Sequence, residues 1–184
     1  MIGMSIGNLI VNIKKIGIQM RKILVSLVVT VTLILSGCSG NGMSNVKQLD
    51  TNNFKHAKTQ IVMIDDNKQR ASVKNLLSDW MVENGYDVAD YEVRVIQKLE
   101  DGQVLFKYNA NWWWDVASYM RYANLELVDK NGNVLASVDF DSVKYGGMDK
   151  FGNAERRLTI LMEVLMNDMD TKVAEGCLEL GCGD

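Results

Sequence analysis

Five aspartates stand where carboxylate chemistry would need them, at the ends of predicted strands or on their polar faces: Asp65, Asp66, Asp115, Asp139 and Asp141. Paired carboxylates can hold different protonation states for acid–base catalysis, or share a hard cation such as Ca²⁺. Their spacing matches no calcium loop, and aspartate at such positions usually caps a turn or is solvated. We therefore predict no metal site and no catalytic residue. A glycan-acting enzyme using Asp115 with Asp139 or Asp141 is the alternative.

The chain contains too few histidines for most histidine-dependent chemistry. His56 is the single histidine among 184 residues, and no Cys or Glu stands near it at ligand spacing. A zinc site or a Ser-His-Asp triad would depend on that one residue. The chain also lacks a glycine-rich phosphate loop and a Gly-x-Ser-x-Gly nucleophile elbow, so we predict no cofactor.

Three consecutive tryptophans, residues 112–114, precede Asp115 and form the most distinctive cluster in the chain. Strand alternation predicts that Trp112 and Trp114 point into the core, while Trp113 points towards solvent beside Asp115. Large aromatic side chains usually fill cores. The functional alternative is that Trp113 and Asp115 contact a partner protein or a glycan, or that the tryptophans line a small-molecule pocket.

The net charge of −3 conceals two unequal parts. Residues 1–37 contain four basic side chains and no acidic one, whereas the remainder carries 16 basic against 23 acidic residues, a net of −7. Nucleic-acid binding needs an excess of Lys and Arg over one face, so we predict no nucleic-acid partner.

A signal peptide is predicted at the N-terminus. An uncharged run of thirteen apolar-rich residues, 23–35, follows the basic pair Arg21 and Lys22. A membrane-spanning helix needs about 20 apolar residues, and a signal peptide's apolar region needs roughly 7–15. The run ends in Leu35-Ser36-Gly37-Cys38, which resembles the lipobox of bacterial lipoproteins. An ordinary secretory signal or a signal anchor is the alternative.

The lipobox resemblance implies cleavage between Gly37 and Cys38 and attachment of diacylglycerol to the Cys38 sulfur. The acylated cysteine then anchors the protein, since more than one acyl chain is needed for stable membrane attachment. In bacteria with two membranes, Ser39 at the next position favours the outer membrane. Residues 1–19 fit this signal poorly, which suggests that translation starts at Met20; a signal peptide with a long N-terminal basic region is the alternative.

Lipidation of Cys38 would leave an even pair of cysteines, Cys177 and Cys182, in an oxidising compartment. A local disulfide between them is the favoured interpretation, with free thiols or intermolecular pairing as alternatives. Their spacing is longer than the Cys-x-x-Cys of redox-active pairs.

Hydrophobic periodicity predicts one folded domain, residues 59–184, after a flexible tether at 38–58. An apolar run at 59–66 predicts a strand buried on both faces, and spacing by three and four predicts helices from Val73 to Met81 and from Leu158 to Met169. Alternation predicts strands near 91–95, 104–116, 119–129 and 133–141, the last two joined by an Asn-Gly hairpin. We expect an α+β fold, a two-layer α/β sandwich whose mostly antiparallel sheet of 4–5 strands carries two helices on one face.

Taken together, the lipobox, the order of elements, the Trp112-x-Trp114-Asp115-x-x-x-Tyr119 stretch and the closing helix resemble small uncharacterised lipoproteins of Gram-negative bacteria. That resemblance transfers no activity, because fold does not determine function. The expectation is a non-enzymatic lipoprotein, facing the periplasm, that binds an envelope protein.

Overall fold

The computed structural model describes residues 41–56, 58–145 and 149–180, apart from the side chains of residues 53, 55, 56, 149 and 180. Its strands are β1 (Met43–Lys47), β2 (Gln60–Ile64), β3 (Asp87–Val93), β4 (Gln103–Trp114), β5 (Ser118–Asp129) and β6 (Val134–Asp141). Its helices are α1 (Thr51–His56), α2 (Ala71–Glu83), α3 (Ala154–Leu165) and α4 (Thr171–Leu180). The fold is α+β, as predicted.

The six strands form one mixed sheet in the order β1-β6-β5-β4-β2-β3, which is larger than the four or five strands predicted. Strand β2 runs parallel to both β3 and β4, and the other neighbours are antiparallel. Parallel neighbours bury a strand on both faces. Accordingly Ile61, Val62 and Met63 are all buried, which confirms the prediction that this apolar run is a strand buried on both faces.

Strands β4 and β5 form the longest pairing, from Val104 opposite Asp129 to Trp114 opposite Ser118. The predicted alternation holds in the first two thirds of β4, where Phe106, Tyr108 and Ala110 are buried. These side chains share a core with residues of the helices, so this face of the sheet is the one that carries them. A smaller cluster of Val62, Val93 and Leu105 lies on the opposite face.

The Asn-Gly hairpin between β5 and β6 is confirmed. Gly132 takes a φ of +88°, and the carboxylate of Asp129 accepts hydrogen bonds from the backbone N–H groups of Asn131 (2.8 Å) and Asn133 (2.9 Å). Hydrogen bonds to Asn133 are the largest cause of the lowered pKa of Asp129. This carboxylate therefore works as a turn residue.

The described part of the chain contains three helices of ten or more residues, where two were predicted. Helix α2 begins at Ala71, and its N-cap Arg70 makes no side-chain capping bond. Helix α3 ends at Leu165, before Met169. Helix α4 was missed, although Asp170 accepts bonds from the first-turn N–H groups of Lys172 and Val173 in the manner of an N-cap.

The prediction of a flexible tether over residues 38–58 is wrong for its described part. Strand β1 pairs with β6, and Met43, Leu49 and Phe54 are buried in the main core. These three buried residues were not predicted, because they are spaced too widely in a polar, glycine-containing segment to show a hydrophobic period. The compact unit that contains the sheet extends from Ser39 to Asp184, and its described part begins at residue 41.

Candidate functional site

The turn between β4 and β5 is the most exposed apolar feature of the described chain. Residues 113–118, which we call the hairpin tip, are all exposed. The exposed fractions are 54% for Trp113, 77% for Trp114 and 85% for Val116. Large apolar side chains clustered at the surface mark an interaction site more reliably than single ones do.

Strand alternation correctly predicted the exposure of only some of the three tryptophans. Trp113 is exposed as predicted, and Trp112 is half-buried against the main core. The prediction that Trp114 points into the core is wrong, because its side chain is exposed. A β-bulge interrupts the register after Asn111, and the hairpin then continues past the helices that would have covered it.

Arginines lie against the tryptophan rings at the base of the tip. The guanidinium carbon of Arg121 lies 3.9 Å from the ring centroid of Trp113, and that of Arg70 lies 3.8 Å from Trp112. Such stacking favours one orientation of each indole. The tip is therefore an ordered aromatic surface edged by positive charge.

Asp115 is bound to a lysine. Its Oδ2 lies 2.7 Å from the Nζ of Lys150, and this hydrogen bond is the main cause of the raised pKa of Lys150. The same ammonium lies 5.5 Å from the Tyr119 ring centroid and 5.0 Å from that of Phe151. The contact thus joins the tip to the 3₁₀ turn Asp149–Phe151.

Asp139 and Asp141 belong to the sheet face opposite the helices, which we call the open face. Asn109, Asn124 and Asp139 lie side by side across three strands. Asp139 accepts a hydrogen bond of 2.6 Å from Asn124 Nδ2 and another from Asn45 Nδ2. Asp141 accepts from the backbone N–H of Val143 at 3.0 Å. Asp139 thus links β6 to both neighbouring strands, and Asp141 binds the backbone of the turn that follows β6.

The remaining sequence candidates have structural partners or lie outside the described chain. Asp65 pairs with Arg94 at 2.7 Å, and Asp66 accepts from the N–H of Lys68 at 2.9 Å. The backbone of His56 ends α1, and its side chain is outside the described set. Within residues 41–180 as described, no group of three His, Cys, Asp or Glu side chains could hold a metal ion.

The cysteine predictions fall largely outside the described residues. Gly37, Cys38 and Cys182 all lie there. Cys177 is buried in the main core and is disulfide-bonded, and its partner lies outside the described residues. Pairing between Cys177 and Cys182 therefore stays a prediction.

Sequence reasoning missed a hydrogen-bonded clamp at the N-terminal edge of the sheet. Glu175 of α4 accepts hydrogen bonds from the backbone N–H groups of Met43 (2.7 Å) and Gly42 (3.1 Å) and from the Tyr145 hydroxyl (2.5 Å). A Cβ at Gly42 would lie 2.2 Å from the Tyr145 ring, so only glycine fits there. The residues come from three distant parts of the chain, and no local spacing signals them. We call Gly42, Met43, Tyr145 and Glu175 the N-terminal clamp.

The clamp makes stability sensitive to alkaline pH. Burial, and next the hydrogen bond to Glu175, raise the pKa of Tyr145 well above its usual value of 10.0. Because the unfolded chain then loses the phenol proton first, the free energy of unfolding should hold up to about pH 10 and fall above it. A Tyr145→Phe protein should show a smaller fall. Urea midpoints at neutral pH and at about pH 11 would measure this, and equal falls in both proteins would contradict it.

A pocket of about 350 Å³ lies at the opposite end of the sheet. It is lined by residues of α1, the turn before β2, the turn after α2 and the start of β3: Phe54, Lys58, Thr59, Gly85, Tyr86 and Asp87. None of these is a tryptophan, so this pocket is not the tryptophan-lined one considered from the sequence. No helix in the described part of the chain is long and apolar enough to cross a membrane.

Comparisons with known proteins place the chain in no family. No protein-family model matches it, and no curated protein matches it. Among solved structures, a dodecamer of a PelC variant from Paraburkholderia phytofirmans is similar over 67% of this chain and 94% of that chain, at 13% identity and a TM-score of 0.41. A likeness this distant supports no conclusion about function. The function must be argued from the residues of this chain.

Proposed function

We propose that this chain is a lipoprotein of the bacterial envelope. Residues 1–37 are removed as a signal peptide, Cys38 carries the lipid, and the folded unit faces the periplasm from the outer membrane. It acts as a non-enzymatic module that binds an envelope protein. The sequence of the lipobox, Leu35 to Cys38, is the basis of the anchoring.

The observation that most supports this proposal is the N-terminal clamp. Glu175 binds the backbone of Gly42 and Met43, and Gly42 is only four residues after Cys38. Four extended residues span at most about 14 Å. Acyl chains on Cys38 would therefore hold the folded unit directly against the membrane rather than at the end of a long linker. A rigid connection of this kind suits a module that presents one face in a set orientation.

The open face is the surface we propose for the partner. We propose that the helices and the sheet form a two-layer α/β sandwich, since the helices share the main core with one sheet face. The other face carries amide and carboxylate side chains, including Asn109, Asn124 and Asp139. Asp115, the contact proposed from the sequence together with Trp113, is already paired with Lys150. The non-enzymatic role is favoured because Asp115, Asp139 and Asp141 each make separate structural contacts.

A Cys38→Ser protein tests the anchoring. With lipid attachment abolished, we expect the protein to leave the membrane fraction and to appear among soluble periplasmic proteins, because the acyl chains supply the stable attachment. The wild-type protein should be labelled by a palmitate analogue. A Cys182→Ser protein, which keeps the lipobox, is the matched control and should stay with the membrane. Membrane retention of Cys38→Ser would contradict the proposal.

The same cells can test the partner surface. A photo-crosslinking residue at Asn111, exposed on the open face, should capture a discrete envelope protein in the wild type and much less of it in the Cys38→Ser background. The same probe at Glu83, exposed at the end of α2, is the control. Equal capture at both positions would count against the open face.

A further inference from the structure

The start of β1 and the hairpin tip lie at the same end of the sheet. Met43 pairs with Phe140, Phe140 with Ala123, and Ala123 with Ala110, so these four residues form one row across β1, β6, β5 and β4. The chain enters β1 from beyond this row, since Gly42 precedes Met43. Strand β4 runs out past the same row, because Trp114 is four residues further along it.

The length of β4 beyond this row is similar to the reach of the chain from Gly42 back to Cys38. The four residues from Asn111 to Trp114 extend β4 by about 13 Å at the rise of a strand. From Gly42 back to Cys38 the chain can reach at most about 14 Å. A lipid on Cys38 would therefore lie within reach of the level of the hairpin tip, and the clamp by Glu175 prevents the N-terminal strand from swinging away.

We propose that the hairpin tip is a second membrane contact, in which Trp113, Trp114 and Val116 insert into the interface of the bilayer that holds the acyl chains of Cys38. This inference rests on the proposed lipid anchoring. In this arrangement the hairpin tip contacts lipid, and the open face contacts the protein partner. The acyl chains supply attachment, and the tip determines the orientation of the folded unit.

The chemistry of the tip suits a bilayer interface. Tryptophan is enriched at the level of lipid headgroups, where its apolar ring and its N–H group can both be accommodated. Arg70 and Arg121 stack on the tryptophans at the base of the tip, and Lys150 lies beside Asp115. Because Lys150 is paired with Asp115, the cations that can meet headgroup phosphates are Arg70 and Arg121. These two arginines place positive charge directly beside the tryptophans in a chain that is otherwise acidic beyond residue 37, with a net charge of −7.

Fluorescence quenching by lipid tests the contact. The lipidated full chain, extracted from cells and reconstituted into phosphatidylethanolamine–phosphatidylglycerol vesicles, is compared with and without bromine on the upper part of the acyl chains. Two of the four tryptophans lie at the exposed tip. We expect the wild-type protein to lose up to about half of its tryptophan emission to the bromine. The Trp113→Phe/Trp114→Phe protein should lose little.

Flotation of the same samples separates the two proposals. If the protein fails to float with vesicles, lipid anchoring itself is wrong. If it floats and bromine quenches the wild type no more than the double variant, the anchoring stands and the tip contact is overturned. A Trp80→Phe protein, which changes a half-buried helix residue instead, should be quenched at least as strongly as the wild type.

Acrylamide in the aqueous phase distinguishes a protein occupant from a lipid one. The tip should be shielded from acrylamide in vesicles that contain no other protein. Shielding that appears only in native membranes, without bromine quenching in vesicles, would show that a protein covers the tip and would overturn the inference. Both tip residues are exposed, so their replacement by phenylalanine should leave the circular dichroism spectrum unchanged.

Discussion

Replacing Glu175 with alanine should lower the free energy of unfolding by about 3 kcal/mol. Three donors lose a charged acceptor, and such a bond contributes about 1.5–3 kcal/mol when the donor stays unpaired. The total loss is smaller than three such bonds because the donors are only partly buried, and water can bind them in the variant. The donors are the N–H groups of Gly42 and Met43 and the hydroxyl of Tyr145. Urea denaturation with a fixed slope would measure the loss. Hydrogen exchange at Met43 should also accelerate, because β1 would fray first.

Two further substitutions control the Glu175 experiment. Glu175→Gln keeps an acceptor oxygen without the charge and should lose less than alanine. Glu179→Ala changes a glutamate one turn later in α4 and should cost under about 0.5 kcal/mol, as most surface changes do. If Glu179→Ala destabilises the protein as much as Glu175→Ala does, the clamp has no special role.

The Glu175 variant also tests the proposed membrane contact, on the premise that Cys38 carries the lipid. Once β1 detaches, the chain between Cys38 and the fold becomes longer and more flexible, and the folded unit can move away from the bilayer. Bromine quenching of Trp113 and Trp114 should therefore decrease in lipidated Glu175→Ala, while flotation stays intact. Unchanged quenching would mean that the tip holds its place in the interface without the clamp.

A Phe140→Ala protein should lose about 4 kcal/mol of stability, in the range for truncation of a buried aromatic side chain. Phe140 is fully buried, and its ring centroid lies 6.0 Å from that of Tyr145. The guanidinium carbon of the buried Arg157 lies 5.2 Å from the same ring. The substitution would leave a cavity and also remove the aromatic neighbour of a buried cation. Urea denaturation at neutral pH would measure it.

Phe140→Leu is the conservative control, because it fills most of the same volume and should cost no more than about 1.5 kcal/mol. Phe151→Ala removes a half-buried ring near Tyr119 and should have an effect well below that of Phe140→Ala. A loss of stability in Phe140→Ala no greater than in Phe151→Ala would show that the core relaxes around the missing ring.

Local patterns along the chain predicted the central part of the sheet. Alternation identified β4, β5 and β6, and Asn131-Gly132 identified the hairpin between β5 and β6, because a two-residue period and a turn residue with positive φ act over a few positions. The same reasoning failed for Trp114. Alternation tells which way a side chain points, but it does not tell whether another element lies there to cover it.

Short and interrupted segments escaped prediction for a related reason. Strand β1 contains only five residues, and Asn45 within it takes a positive φ of 50°. Its place in the sheet depends on pairing with β6, about a hundred residues later, and on the bonds from Glu175. Such long-range contacts leave no period in the sequence, so a strand was mistaken for a tether.

The amino-acid sequence by itself determined the lipobox prediction, the uneven charge, the α+β class and the alternating faces of the long strands, since each depends on residue types at short spacing. The tertiary structure alone decided that Gly42 is clamped beside α4 and that Trp113 and Trp114 project from the same end of the sheet. Both depend on strand order and on which surfaces the helices cover. Packing between distant segments sets those relations, and no local pattern encodes them.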